Sequence, residues 1–217
     1  SHSVSTRTLN SAGNSTAGVS QTYTLDTVAP DAPLLSAQSA TENAALATGT
    51  AGAVSVCAEA GSHLSVVFSN GAHQLTKTLL ANGSAQAVFL SAADLNTLGD
   101  GTISVSASAT DVAGNISTLG SSSFTLDTIA PTVTISAVGG PDSVISGLAG
   151  DAIVTGTAEA NSTVSITQTV GGALLGTAST DAAGNYSYTI TAANVITLGQ
   201  GSDSITVTQT DAAGNTG

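Results

Sequence analysis

The sequence predicts an all-β chain in which small sandwiches of about seven short strands follow one another end to end. Three observations support this fold class. Segments recur at a spacing of about one hundred residues, the composition favours strands and turns, and short apolar–polar alternations are separated by turn residues every ~8–12 positions.

Two motifs define the repeat. Thr-Leu-Asp-Thr-Val-Ala-Pro at 24–30 returns as Thr-Leu-Asp-Thr-Ile-Ala-Pro at 125–131, which is 101 residues later. Asp-Val-Ala-Gly-Asn at 111–115 returns as Asp-Ala-Ala-Gly-Asn at 211–215, and a degenerate copy lies at 10–14. A solenoid repeat is ~20–50 residues long, whereas this period matches a whole small domain. The sequence therefore predicts an array of domains.

The period divides the chain into three parts. Residues 1–26, the leading segment, correspond to the last two strands of a preceding repeat, with Tyr23 where Phe124 stands one period later. Residues 27–127 form a complete central repeat, and residues 128–217 form a last repeat without its final strand. The ragged ends indicate a window cut from a longer protein. Two explanations stay open: arbitrary trimming, or pairing of the incomplete ends between molecules.

Composition narrows the function classes. The 217 residues include two basic and fourteen acidic side chains, for a formal net charge of −12. Such a charge argues against nucleic acid or an anionic membrane surface as a partner, and it attracts cations. The single Cys57 leaves no intradomain disulfide, and we expect it to be a small buried hydrophobe. No stretch of 18 apolar residues and no signal peptide occur, so we expect no membrane insertion.

Strand patterns follow one plan in both long repeats. In the central repeat the alternation predicts strands and one capped helical turn that begins at Ser91 and ends at Gly99. The predicted strands of the central repeat are 34–37, 53–58, 63–69, 74–80, 86–90, 103–109 and 122–126. Those of the last repeat are 132–136, 153–158, 163–169, 174–179, 186–190 and 204–209, with a turn at 191–199. Seven such strands predict an immunoglobulin-like sandwich without its disulfide.

Acidic residues that recur at the repeat spacing are the candidate metal ligands. They are Asp26 and Asp127 in the junction peptides, Glu59 and Glu159 after the second strand, and Asp111 and Asp211 after the sixth strand. In a seven-strand sandwich these three positions lie at the end where the chain enters, so each trio is predicted to converge at a seam between consecutive domains. Three close carboxylates repel by roughly 4 kcal/mol per pair at an effective dielectric of 20. Calcium, which takes six to eight oxygen ligands, would relieve that repulsion, and the absence of clustered His or Cys argues against zinc.

A plainer interpretation stands beside the metal site. Asp and Asn before Gly are ordinary turn residues that hydrogen-bond to their own backbone. Asp181 lies in another Asp-Ala-Ala-Gly-Asn segment, between two predicted strands, and we expect a hairpin turn there. The acids without a counterpart are expected to be mostly solvated, with Asp94 and Asp100 the best candidates to reach a seam from the neighbouring side; this group comprises Glu42, Asp94, Asp100, Asp142 and Asp151.

The motifs together resemble a known family. The Asp-Thr-Val/Ile-Ala-Pro junctions, the Ala-Glu-Ala-Gly/Asn-Ser segments at 58–62 and 158–162 and the Asp-x-Ala-Gly-Asn loops are similar to bacterial immunoglobulin-like repeats of giant adhesins. These adhesins are exported by type I secretion and include biofilm-associated proteins. The resemblance implies an extracellular stalk on the bacterial cell surface, stiffened by calcium at its seams, that serves in cell adhesion, biofilm formation or host attachment.

The resemblance also implies partners and site residues. The partners would be neighbouring repeats of the same chain, with host-cell or biofilm ligands bound by distal modules. The calcium ligands would be Asp26, Glu59 and Asp111 at one seam and Asp127, Glu159 and Asp211 at the next. Asn10 stands where the family pattern has Asp, which puts the site of the leading segment in doubt.

Other function classes have weaker support. His2, His63 and His73 have no counterparts at the repeat offset, and neither a Gly-x-Ser-x-Gly elbow nor a phosphate-binding glycine loop occurs, so we predict no enzyme activity. The alternative function is a carbohydrate- or receptor-binding sandwich that acts directly through the repeats. Tyr186 and Tyr188, on one face of a predicted strand, are the sole candidate sugar platform, and we favour core packing for both.

Overall fold

The structure is a computed structural model that describes residues 1–139, 143–146 and 151–217. Its secondary structure is mainly short antiparallel strands, with three short helices among the described residues. The all-β, immunoglobulin-like prediction is therefore confirmed. The end-to-end arrangement and the domain boundaries stay predictions.

The leading segment forms a two-stranded ribbon. Strand β1 (His2–Thr6) pairs antiparallel with β2 (Val19–Tyr23), and the side chains of both strands are exposed. Tyr23 is 48% exposed, whereas its counterpart Phe124 is 3% exposed. Tyr23 is thus exposed where its counterpart Phe124 is buried, because among the described residues no second sheet covers this ribbon.

The central repeat is a sandwich of two sheets. One sheet has the order β3-β5-β8 and the other has the order β4-β10-β9-β6-β7. Their bounds are β3 (Leu34–Ala37), β4 (Thr41–Glu42), β5 (Val54–Cys57), β6 (His63–Ser69), β7 (Gln74–Leu80), β8 (Gln86–Val88), β9 (Gly101–Thr110) and β10 (Gly120–Leu126). Inward-facing positions of both sheets, including Val56, Leu64, Phe68, Ile103 and Phe124, form one buried hydrophobic cluster. This packing explains the period-2 alternation seen in the sequence.

Two helices lie in the central repeat, of which one was predicted. Helix α2 (Ala92–Leu98) begins with the expected capping box between Ser91 and Asp94 and ends at Gly99. Helix α1 (Ala44–Thr48), capped by Asn43, was not predicted, and neither was the two-residue strand β4 before it. Strand β4 pairs parallel with β10, the final strand, so this region closes the end of the sandwich from which the chain leaves.

The last repeat has the same two-sheet plan. Its sheets have the orders β11-β12-β15 and β14-β13-β16. The bounds are β11 (Thr134–Val138), β12 (Ile153–Thr157), β13 (Thr163–Gln168), β14 (Leu174–Ser179), β15 (Asn185–Thr189), helix α3 (Ala192–Leu198) and β16 (Ile205–Gln209). Val154, Val164 and Ile166 lie at the centre of a second buried cluster, which shares no residue with the first. None of the helices in the described ranges is long and apolar enough to cross a membrane.

Candidate functional site

The two junction peptides have the same local geometry. Asp26 Oδ1 accepts a hydrogen bond from the backbone N–H of Val28, and Asp127 Oδ1 accepts one from Ile129, each at 3.1 Å. An aspartate that binds the N–H two residues ahead forms an Asx turn, which fixes the direction in which the chain continues. The junctions therefore bend in the same way, 101 residues apart.

The Asp-x-Ala-Gly-Asn loops after β9 and β16 are closed by their own aspartates. Asp111 Oδ1 accepts hydrogen bonds from the backbone N–H groups of Ala113 and Asn115, each at 2.8 Å, and Asp111 Oδ2 accepts one from the Asn115 side-chain amide at 2.8 Å. Asp211 accepts the corresponding bonds from the backbone and side chain of Asn215, each at 2.9 Å. The turn interpretation is thus confirmed for both loops, and it does not by itself exclude metal binding.

These hydrogen bonds stabilise the charged form of the two loop aspartates. The side-chain amide of Asn115 is the largest cause that holds the pKa of Asp111 below its usual range, and the backbone N–H groups of the loop act in the same direction. The amide of Asn215 does the same for the pKa of Asp211. Both carboxylates therefore remain negatively charged at neutral pH.

An asparagine joins each loop to its junction. Asn115 Nδ2 lies 3.5 Å from the carbonyl oxygen of Asp26, and Asn215 Nδ2 lies 2.9 Å from the carbonyl oxygen of Asp127. We define the first seam as the contact of Asn115 with Asp26 together with loop 111–115. The second seam is the contact of Asn215 with Asp127 together with loop 211–215. Junction and Asp loop are therefore in contact at both seams, through an asparagine amide rather than through the predicted carboxylates.

The two recurring glutamates, Glu59 and Glu159, differ in their hydrogen-bond partners. Glu159 is exposed, and its carboxylate accepts a hydrogen bond from Gln209 Nε2 at 2.9 Å while its backbone N–H donates to Gln209 Oε1 at 3.0 Å. Gln209 is 2% exposed and lies two residues before Asp211. The central repeat has Ala109 at the corresponding position, so the exposed side chain of Glu59 has no equivalent anchor there.

The central repeat contributes to the second seam from its own side. Asp100 Oδ1 accepts hydrogen bonds from the backbone N–H of Thr128 at 3.0 Å and from its hydroxyl at 2.9 Å. A Cβ atom at Gly214 would lie 3.1 Å from Asn43 Nδ2, so loop 211–215 closely approaches the N-cap of α1. Ala213 in this loop is 5% exposed, whereas Ala113 in the first seam is exposed. Asp100 thus reaches the junction as predicted.

Two acids depart from the expectations. Asp94 does not reach a seam through any observed contact, because it caps α2 and pairs with Lys77 Nζ at 2.6 Å. Burial alone would raise the pKa of Asp94, but the hydrogen bond from Lys77 and those from Ser91 lower it to about 2. Glu42 is completely buried rather than solvated, since it lies on β4 under the closing end of the sandwich.

Glu42 is a buried carboxyl with an incomplete set of hydrogen bonds among the described residues. Its Oε1 accepts a hydrogen bond from the Ser39 N–H at 3.3 Å, and its Oε2 has no hydrogen-bond partner among the described residues. Burial raises the pKa of this carboxyl, and bonds from the backbone of Ser39 and Gln38 oppose the rise only in part. Of the other unmatched acids, Asp151 is half-buried and accepts a bond from Ser146, and Asp142 lies outside the described residues.

The seams offer oxygen donors but not an assembled three-carboxylate cluster. Carboxylates and a main-chain carbonyl are the ligands that calcium prefers, so the donor chemistry of each seam fits the ion. Within residues 1–139, 143–146 and 151–217, however, no three His, Cys, Asp or Glu side chains are grouped closely enough to hold a metal. The structure brings the main-chain carbonyl of Asp127 and the carboxylate of Asp211 to one amide, and similarly the carbonyl of Asp26 and the carboxylate of Asp111, while both glutamates remain outside these pairs.

The remaining sequence predictions concern aromatic residues, a turn and the cysteine. Tyr186 is 3% exposed and donates to the carbonyl of Thr134, and half-buried Tyr188 donates to Asn194 Oδ1 at 2.8 Å, so both pack as predicted and present no open ring platform. Asp181 closes the β14–β15 hairpin turn, as expected. Cys57 is half-buried rather than buried.

Comparison with known proteins gives one family match. Residues 141–217 match the model of the bacterial Ig domain family, which is about a third of the chain. The sequence resemblance to bacterial immunoglobulin-like repeats is confirmed for that segment. No curated protein matches the chain.

Two solved structures are similar to the chain. One is a crystal structure of a tetra-tandem repeat in the extending region of a large adhesion protein, with 25% identity and a TM-score of 0.37 over 99% of this chain and 53% of that one. The other is from a study of host cell surface retention of a 1.5-MDa bacterial ice-binding adhesin, with 27% identity and a TM-score of 0.39 over 99% of this chain and 70% of that one. The present chain spans about half the length of the first of these structures.

Proposed function

We propose that this chain is a segment of an extracellular adhesin stalk in which calcium stiffens the seams between immunoglobulin-like repeats. The observation that carries the proposal is one joint geometry that occurs twice. At each seam an Asx turn at the junction meets an aspartate loop of the following sandwich through an asparagine amide. A repeated joint suits a mechanical element, because each seam then begins with the same local turn of the junction.

The charge of the chain supports a role for a cation. With a net charge of −12, consecutive repeats repel each other, and each seam brings a loop carboxylate and a junction carbonyl oxygen to one amide, with the junction carboxylate on the same residue as that carbonyl. At the second seam, Asp127 and Asp211 would hold calcium with the carbonyl of Asp127, and Glu159 is the third candidate. Asp26, Asp111 and Glu59 are the corresponding candidates at the first seam. Bound calcium would neutralise the local charge and restrict the hinge.

The calcium affinity that this role requires is modest. Extracellular calcium modules bind at about 10⁻⁴–10⁻³ M, and a site in that range would be loaded outside the cell and empty inside it. Loading would stabilise the docked seam by mass action. The repeats would therefore be less rigid during export and stiffer at the bacterial surface, where distal modules would contact host-cell or biofilm ligands.

Small-angle X-ray scattering of the 217-residue chain with calcium and with chelator tests the proposal. Calcium is expected to increase the maximum dimension, while circular dichroism shows the same strand content in both conditions. Sodium chloride at matched ionic strength is the control, since general screening also weakens repulsion between acidic repeats. Identical scattering curves with and without calcium would contradict the proposal.

A further inference from the structure

The Asp-x-Ala-Gly-Asn motif occurs in two structural settings that differ in one contact. In loop 181–185, which is a β-hairpin turn, Asn185 Nδ2 contacts the two carboxylate oxygens of Asp181 at 3.3 and 3.1 Å. In loop 211–215, Asn215 Nδ2 contacts one carboxylate oxygen of Asp211 and, in addition, the carbonyl oxygen of Asp127, 88 residues away. The same five-residue turn thus gains a long-range partner when it lies at a seam.

The chemistry of the amide explains how one side chain makes both contacts. A primary amide nitrogen carries two N–H groups, and both oxygens that face Asn215 Nδ2 are acceptors at 2.9 Å. One N–H binds the loop and the other binds the junction. A carboxylate at this position would have no proton to donate, and a shorter side chain would reach neither oxygen.

We infer that Asn215 is the positioning residue that holds the second seam together through its two hydrogen bonds, with Asn115 as its weaker counterpart at the first seam. The Asn215 amide donates one hydrogen bond to the carbonyl of Asp127 and one to the carboxylate of Asp211. A cation bound at the seam would otherwise bring these two oxygen atoms together. Contacts on the other side of the seam support this role of Asn215, because Asp100 holds Thr128 and Gly214 lies against Asn43. The inference rests on the proposed stalk function, but the two hydrogen bonds of Asn215 need no metal.

The hydrogen bond between the loop asparagine and the junction carbonyl is expected to be stronger at the second seam. The contact of Asn215 with Asp127 is 2.9 Å long and partly buried, whereas that of Asn115 with Asp26 is 3.5 Å long and exposed. Water competes less for a partly buried hydrogen bond, and 3.5 Å is beyond the usual N–H···O range. The second seam is therefore the one to test.

The test measures the distance between two spin labels in chelator. In a Cys57→Ala background, labels are placed at Thr78→Cys and Thr177→Cys, which are exposed positions paired with Ser65 and Ser165 on equivalent strands of the two repeats. Asn215→Ala is compared with Asn185→Ala, which removes the same side chain from a copy of the loop that contacts no junction. Circular dichroism checks that each variant is folded.

The variants are expected to give clearly different distributions of the distance between the two spin labels. Asn215→Ala should broaden the distance distribution, since loss of one hydrogen bond lowers the ratio of docked to undocked seams by roughly two- to tenfold. Asn215→Asp keeps the shape of the side chain but removes the donor, so it should broaden the distribution at least as much. Asn185→Ala should match the parent.

Two results would overturn the inference. One is a distribution for Asn215→Ala and Asn215→Asp as narrow as that of the parent. The other is equal broadening in Asn185→Ala, which would show a general loss of loop structure. Failure of calcium stiffening is distinguishable, because it appears only when calcium is added to the parent and leaves the comparison in chelator unchanged.

Discussion

At the scale of single residues, Glu42 is a buried carboxyl whose protonation affects stability. It is completely buried, and one of its oxygens lacks a partner among the described residues. Burial raises its pKa from 4.5, so the folded protein binds a proton more tightly at this site than the unfolded chain does. The resulting stabilisation is fully present below pH 4.5 and is lost as the pH rises through the folded pKa.

We predict that Glu42→Gln raises the free energy of unfolding at pH 7, because it removes a buried charge while retaining an oxygen that accepts from Ser39. Urea denaturation at pH 7 and at pH 4 measures the effect, which should be largest at pH 7 and should decrease below pH 4.5. Glu59→Gln, at an exposed position, is the control and is expected to change stability by less than about 0.5 kcal/mol. A stabilisation by Glu42→Gln of the same size at both pH values would contradict this explanation.

The sequence could predict recurring residues but not solitary ones. Asp111 and Asp211 were found because they recur, and the contact of each loop with the preceding junction, which Asn115 and Asn215 make, follows from sandwich topology. Glu42 and the pair formed by Gln209 and Glu159 have no counterpart one period away, so nothing in the pattern indicated their burial or pairing. Asn215 was visible in the motif, but turn chemistry alone explained its presence there.

At the scale of elements, α2 depends on a cap that also carries an ion pair. Asp94 accepts hydrogen bonds from the backbone and hydroxyl of Ser91, each at 2.7 Å, and it binds Lys77 on β7. One carboxylate therefore begins the helix and attaches it to the sheet. The predicted capping box was confirmed because its signal is local, whereas the contact with Lys77 depends on tertiary packing.

Asp94→Ala is expected to lower the free energy of unfolding by about 1–2 kcal/mol at pH 7, since it removes the Asp94 half of the capping box together with the ion pair to Lys77. Lys77→Met removes only the ion pair and should cost less, at most about 1 kcal/mol, because the pair is partly exposed. The pKa of Asp94 falls from 3.8 to about 2 on folding, so its contribution is present above pH 3.8 and disappears between pH 3.8 and about 2. Denaturation of parent and variants at pH 7, 4 and 2.5 checks these values, and equal losses for the two variants would reject the role of the cap.

Element boundaries show where sequence patterns fail. Strands with clear alternation, such as β6 and β7, have the predicted bounds. The region of β4 and α1 was missed because a two-residue strand has no periodicity and a helix of five residues has little. Asn43 followed by Ala-Ala-Leu was the available signal, since Asn is a preferred N-cap and Ala a strong helix former.

At the scale of the whole molecule, calcium binding at the second seam should depend on Asp127. We predict that Asp127→Ala lowers the calcium stoichiometry measured by titration calorimetry and weakens only the seam between the two long repeats. Asp181→Ala, in the hairpin copy of the loop motif, is the matched control and should leave the stoichiometry unchanged. Unchanged stoichiometry in Asp127→Ala would reject this residue as a ligand.

The seam contacts have a consequence for how such a chain can lengthen or shorten. Asp26 and Asn115 are 89 residues apart, and Asp127 and Asn215 are 88 apart, so both partners of each contact lie within a single period of 101. A gene duplication or deletion of one whole period therefore carries a complete joint with it. Copy number can change in whole units while every remaining joint keeps its residues.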